Sequence, residues 1–265
     1  RLSYNKLGDR MVESIKINDI VKYQNDIYIV KETKENIATI VGYSYRLIKQ
    51  VNISDLTLST ELEVATENSK NEKKRAEVVE KNRMTTSKVM YGRILHIDGD
   101  ERYLESCKTL YQELKIPATC IYINEKKTPD VIEEIITTLS PDIVVITGHD
   151  TYNNEGISDI NNYENTKYFM ETVRKIRKHY SFFETVIIAG ACASHFEALI
   201  GSGANFASSP KRINTHTYDP AIAAIKIATT SCNKIVDFRQ ITKYIENGRD
   251  AIGGVETYGK MKLLL

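Results

Sequence analysis

From Val89 onward the chain alternates short, unbroken apolar runs with amphipathic stretches of helical period, and this alternation narrows its fold more than any other feature. The apolar runs are Arg93-Ile94-Leu95-His96-Ile97, Ala118-Thr119-Cys120-Ile121-Tyr122-Ile123, Asp142-Ile143-Val144-Val145-Ile146-Thr147 and Thr185-Val186-Ile187-Ile188-Ala189. Between them, Tyr103, Cys107, Leu110, Tyr111 and Leu114 recur at helical spacing, as do Val131, Ile135, Ile136 and Leu139, and then Tyr168, Phe169, Val173 and Ile176. A strand without a polar face must be covered on both sides, so the pattern predicts a mostly parallel sheet between two helical layers. A three-layer α/β domain is expected over residues 89–265.

The first 58 residues have a different texture. Asp19-Ile20-Val21-Lys22-Tyr23, Ile27-Tyr28-Ile29-Val30, Ile37-Ala38-Thr39-Ile40-Val41-Gly42 and Tyr45-Arg46-Leu47-Ile48 are short runs rich in β-branched residues and tyrosine, with a turn at Gln24-Asn25-Asp26. Their size and rhythm predict a small SH3-like β-barrel over 1–58. Residues 59–88 are crowded with Glu, Lys and Arg and poor in large apolar groups, which reads as a charged linker or solvated helix. An exposed charged stretch is also a natural place for proteolytic nicking.

Composition excludes some functions. A net charge of +1 argues against a nucleic-acid binder that works through a whole-chain field. The longest apolar runs, such as Ala221 to Ile225, are too short to span a bilayer, and no export pattern opens the chain, so an intracellular protein with no membrane partner is expected. Cys107, Cys120, Cys192 and Cys232 form no CxxC pair, so the reading calls for no metal, no cofactor and no disulfide.

Ligands of an open parallel sheet meet the carboxyl ends of its strands. Three strand ends here carry chemistry: Asp98-Gly99-Asp100, Gly148-His149-Asp150, and Gly190-Ala191-Cys192-Ala193-Ser194-His195. Cys192 is flanked by small residues that admit a substrate chain, with a helix expected at or after Ser194 whose amino terminus favours a thiolate. His149 occupies the equivalent place one strand away, where an imidazole can deprotonate a thiol and later protonate a leaving amine. Either residue alone is ordinary, a packed cysteine or a loop histidine. The two together predict Cys192 as nucleophile and His149 as acid–base partner. Gly148, Asp150, Gly190 and Ala191 would shape that site. Asp150 is open to orienting His149 or to capping the next segment. Asp98 and Asp100 are candidates to pair with a cationic substrate side chain, with turn chemistry as the competing role. Ser208 and Ser209 end a later run, Ala204 to Pro210, and would wall the substrate groove. His216 is a rival base, although a mid-loop histidine is expected to face water.

At these residues the sequence resembles the YabG family of sporulation-specific cysteine peptidases of spore-forming Firmicutes. The matching blocks are 96–101, 141–150, 189–197, 203–210 and 253–257, and the resemblance covers most of 91–260, extending more weakly over the amino-terminal strands. It implies cleavage after arginine, spore coat and cortex-lytic proteins as substrates, self-cleavage, and residence in the mother cell and at the spore coat. The strand-end His and Cys, 43 residues apart with the histidine first, are also similar to the caspase–clostripain–gingipain group. That likeness implies a caspase-like sandwich, with Asp98 first and Asp100 second as reader of the arginine. In the wider group a glycine follows the catalytic histidine. Here Gly148 precedes it and Asp150 follows, which leaves the Cys192 amide as oxyanion donor and the second donor unassigned. Arg75 and Arg83, in the charged segment, are the candidate self-cleavage positions. A homodimer is compatible with the sequence. The alternatives are a glutaminase-like amidase using the same cysteine and a non-enzymatic coat scaffold.

Overall fold

The protein is described from a computed structural model covering residues 15–82 and 88–264. It begins with strands β1 (Ile20–Tyr23), β2 (Asp26–Lys34), β3 (Ile37–Gly42), β4 (Ile48–Asn52) and β5 (Thr57–Leu58), which form one antiparallel sheet in the order β4-β3-β2-β1-β5. Tyr23 pairs with Asp26 across a tight turn in which Gln24 takes φ 55°, so the Gln24-Asn25 dipeptide sets the register of the first hairpin. The fourth run does not start where its composition suggests. β4 begins at Ile48, and residues 43–47 leave the sheet as a loop whose neck is closed by Gly42 N–H donating to the Leu47 carbonyl at 2.8 Å.

Residues 61–82 form one helix, α1 (Glu61–Asn82), rather than an extended linker. It is polar over most of its surface but buries Val78 and Val79 in the core below. Ion pairs Lys22–Glu63, at 2.9 Å, and Lys74–Asp219, at 2.9 Å, tie it to the sheet before it and the domain after it. Arg75 lies inside α1 and pairs with Glu113 at 2.8 Å, so that helix would have to unwind before a peptidase cleft could take the Arg75 backbone. Arg83 lies outside the described residues.

The remainder is the expected α/β unit. β6 (Val89–Met90) is followed by β7 (Ile94–Asp98), α2 (Glu101–Glu113), β8 (Ala118–Tyr122), α3 (Thr128–Leu139), β9 (Ile143–Thr147), α4 (Thr166–His179), β10 (Val186–Ala189), α5 (Phe196–Gly201), β11 (Phe206–Ser208), α6 (Asp219–Thr229), α7 (Phe238–Thr242), β12 (Ile252–Gly254) and β13 (Lys262–Leu263). The large sheet runs β12-β11-β10-β9-β7-β8, parallel except for β12 at one edge. Alternate residues of one strand serve opposite cores: Ile143 and Val145 of β9 pack with α2 and α6, while Val144 and Ile146 pack with α3 and α4. This explains why all five β9 residues are buried and why the strand carries no polar alternation. Among the described residues, no helix is long and apolar enough to cross a membrane.

Candidate functional site

Strand register brings the two predicted residues to one edge of the sheet. Ala189 of β10 lies opposite Ile146 of β9, and three residues further along the chain, in the loops beyond the strand ends, come Cys192 and His149. The Cys192 loop is built for a sharp reversal. Gly190 takes φ +103°, a region open to glycine, and an added Cβ there would come within 2.8 Å of Leu199. Ala193 follows at φ 55°, with its N–H donating to Ser209 Oγ at 3.1 Å.

Of its two expected places, Asp150 is bonded at the segment that follows, where α4 begins. It is buried, makes no hydrogen bond to the His149 ring among the described residues, and accepts from Thr166 Oγ1 at 2.5 Å, Ser194 Oγ at 2.8 Å and the N–H groups of Asn165 and Thr151. Ser194 Oγ in turn accepts from Ala191 N–H at 2.9 Å, so Asp150 stitches the histidine loop to the cysteine loop. Burial pushes its carboxyl up to about 6, against those four donors. Ser208 and Ser209 also differ from expectation. Both are buried, and their hydroxyls donate to the carbonyls of Gly190 and Ile213, bracing the loops around Cys192 instead of lining an open groove.

His149 is held by a residue that sequence reasoning passed over. Glu125 Oε1 accepts the His149 backbone N–H at 2.7 Å and lies 3.7 Å from Nδ1. Gly99 and Gly148 make room for that carboxylate, since a Cβ on either would meet it within 2.2 Å. Asp100 Oδ2 is 3.5 Å from His149 Nε2, which is buried and has no hydrogen-bond partner among the described residues. A cleft of about 410 Å³ opens beside this imidazole, lined by Asp100, Glu125, Glu164 and Asn165 among others. Asp100 also caps α2 through Arg102 N–H, so it serves the helix as well as facing the histidine.

Asp98 is fully buried at the end of β7, and its cationic partner comes from the chain itself. Arg46 Nη1 lies 2.5 Å from Asp98 Oδ2, and Arg46 Nη2 donates to the Thr217 carbonyl at 3.0 Å. Thr147 Oγ1 donates to the same carboxylate oxygen at 2.9 Å, and Asp100 N–H donates to the other. Burial alone would raise the Asp98 carboxyl, but the Arg46 guanidinium and His96 hold it well below the usual carboxylate range. Arg46 is likewise held fully charged by Asp98 despite its burial.

The open strand end expected at Cys192 is covered. Cys192 is 0% exposed and packs with Val21, Tyr28 and Val30 of the amino-terminal sheet and with Leu47 of the loop. Its N–H donates to the Arg46 carbonyl at 3.3 Å, and its sulfur accepts from Thr215 N–H at 3.0 Å. Burial pushes the thiol up to about 12, so in this closed arrangement it is neutral, against the expected thiolate. His216 is also not a solvent histidine. It is buried under α1, bonded to Asn71 Oδ1 at 2.9 Å and Tyr218 N–H at 3.2 Å, with burial lowering its pKa. His195 caps α5 through Ala198 N–H.

Arg46, Glu125, Thr215 and Thr217 were the residues missed. Glu125 sits in Asn124-Glu125-Lys126-Lys127, which has the composition of a solvated turn, and Arg46 in a run that reads as strand. The one available signal was a single arginine between Tyr45 and Leu47, in a run otherwise suited to burial.

The family described as YabG peptidase U57 matches this chain over residues 7–265. The sporulation-specific protease YabG of Bacillus subtilis (strain 168) is 41% identical over 177 residues, a match taking in 66% of this chain and 61% of that protein. The chain thus spans less than two thirds of the curated relative it matches. No solved structure matches the chain.

Proposed function

Because the chain belongs to the YabG peptidase family U57, we propose that it is a cysteine endopeptidase cutting after arginine, with Cys192 as nucleophile and His149 as acid–base partner. The observation that carries the reading is the buried Asp98 carboxylate holding a guanidinium, with the carbonyl of that same arginine on the Cys192 amide. A peptidase selective for arginine needs both contacts from one residue: a carboxylate for the side chain and an N–H donor for the scissile carbonyl.

In the mechanism, His149 Nε2 takes the Cys192 proton, and the sulfur adds to the carbonyl carbon after arginine. The oxyanion faces the Cys192 N–H. His149 then protonates the departing amine, and water hydrolyses the thioester. Asp100 and Glu125 favour the imidazolium that forms between these steps, because both carboxylates lie within 4 Å of its nitrogens. The strand order, with the histidine strand beside the cysteine strand, supports a caspase-like sandwich, and the five short antiparallel strands support an SH3-like reading of the amino-terminal unit. Similarity to a sporulation-specific protease supports spore coat and cortex proteins as substrates and action in the mother cell or at the coat.

The test compares wild type with Cys192→Ala and His149→Ala on arginyl, lysyl and neutral fluorogenic peptides. Each substitution should lower kcat/KM for the arginyl peptide by roughly 10⁴ or more. Retained turnover in Cys192→Ala would remove the proposal. Ammonia release from small amides without peptide cleavage would point instead to an amidase.

A further inference from the structure

We propose that Arg46 is this chain's own first substrate residue: the Arg46–Leu47 peptide bond lies across the Cys192 site in the register of a bond to be cut, and its loop keeps the site shut until cleavage. This rests on the endopeptidase reading above and goes beyond it by naming the bond and the latch.

Four observations converge on one dipeptide. The Arg46 side chain is fully buried, and its guanidinium meets Asp98, the Thr217 carbonyl and, at 3.9 Å, Cys107 Sγ. Its backbone is paired as an added strand: Arg46 N–H donates to the Thr215 carbonyl at 3.1 Å, and the Ser44 carbonyl accepts from Thr217 N–H at 3.1 Å. An extended chain laid antiparallel on a site's wall is the mode by which peptides are held by main-chain bonds while one pocket reads a side chain. The Arg46 carbonyl points at Cys192 N–H, where a developing oxyanion would be stabilised. Leu47, the residue whose nitrogen would leave, bridges to Asp150, next to His149.

A structural anchor needs none of this arrangement. An arginine pinning a barrel to its neighbour can end on any carboxylate, with its carbonyl directed anywhere. Here side chain, carbonyl and flanking backbone each meet the group a substrate arginine would need. The loop is also held in place by hydrogen bonds of its own. The Gly42–Leu47 hydrogen bond closes its neck, the single Tyr103 hydroxyl proton is shared between the carbonyls of Gly42 and Tyr45, and Asn71 of α1 donates to Ser44 Oγ at 2.9 Å.

The step balances as an ordinary hydrolysis. Cys192 Sγ, its proton passed to His149, bonds to the Arg46 carbonyl carbon. The carbon–nitrogen bond to Leu47 breaks as His149 returns that proton to the Leu47 nitrogen. One water then cleaves the thioester, leaving an Arg46 carboxylate and restoring the thiol. The cut opens the β3–β4 connection beside the loop's neck and frees the arginine site for other chains.

The experiment follows purified full chain by intact mass and amino-terminal sequencing, with arginyl-peptide turnover measured on the same samples. Wild type should accumulate a fragment beginning Leu47-Ile48-Lys49, turnover should rise in step with it, and Cys192→Ala should stay whole. Arg46→Gln should give no such fragment. Arg46→Lys, which keeps the buried cation for the fold, should form it roughly 10- to 100-fold more slowly, since one ammonium does not match two guanidinium nitrogens that reach Asp98 and the Thr217 carbonyl separately. Wild type that turns over arginyl peptide at full rate while its Arg46–Leu47 bond stays intact overturns this inference alone. Wild type and Arg46→Gln both inert on every peptide, with no fragment formed, overturn the endopeptidase reading and this inference with it.

Discussion

At Glu125 one carboxylate oxygen accepts the His149 backbone N–H and lies near its ring, yet the residue stands in a turn of four polar side chains. Its work is positional, since it touches the histidine and not the cysteine. Glu125→Ala should therefore lower kcat about 10- to 100-fold with KM little changed, and Glu125→Gln, which keeps an acceptor for the N–H, should restore most of the loss. A rise in KM at constant kcat would mean that Glu125 binds substrate instead. The same scale marks the limit of what the sequence could reveal. The shared sheet edge of Cys192 and His149 was legible because strand ends in a parallel sheet are where chemistry collects. Glu125 and Arg46 were not, because their importance depends on which residues face them across 24 and 52 positions of chain.

Among the elements, the joint between β9 and β10 depends on Asp150. Its folded carboxyl sits at about 6 against an ordinary 3.8, a raised value. A raised carboxyl contributes stability that is fully present below 3.8 and lost as pH rises through about 6. Asp150→Asn fits the same contacts: its oxygen can accept from Asn165 and Thr151 N–H, and its amide can donate to the hydroxyls of Thr166 and Ser194. The variant should fold, and the Tm of wild type should fall relative to it between pH 4 and pH 7. Parallel Tm profiles over that range would show that Asp150 does not titrate there. The helices and parallel strands of this layer were readable from periodicity, because burial on both faces removes polar alternation. The fourth amino-terminal strand was misplaced because Tyr45-Arg46-Leu47 has strand composition while the Arg46 backbone bonds to Thr215 and Cys192, partners no local pattern reveals.

For the whole molecule, the amino-terminal sheet, α1 and the α/β unit together shut the site. The Asp98 carboxyl is depressed, so its contribution is present above 3.8 and lost only as pH falls below that value. Arg46 is charged throughout, so the latch should not be released by pH near neutrality; opening requires the bond to be cut or the loop to be drawn out. In an uncut chain such as His149→Ala, the exposed Cys232 should react rapidly with a thiol reagent, while Cys192 should react only after denaturation. Comparable rates for the two thiols would mean that the cover does not hold in solution. Covalent labelling tests the central claim most directly. Self-cleaved wild type would be treated with an arginyl chloromethyl ketone, digested, and mapped by mass spectrometry. The account predicts an arginyl adduct on Cys192, beside any on the exposed Cys232, that is lost in His149→Ala and strongly reduced in Asp98→Ala. An adduct confined to Cys232, or undiminished labelling of Cys192 in both variants, would contradict it.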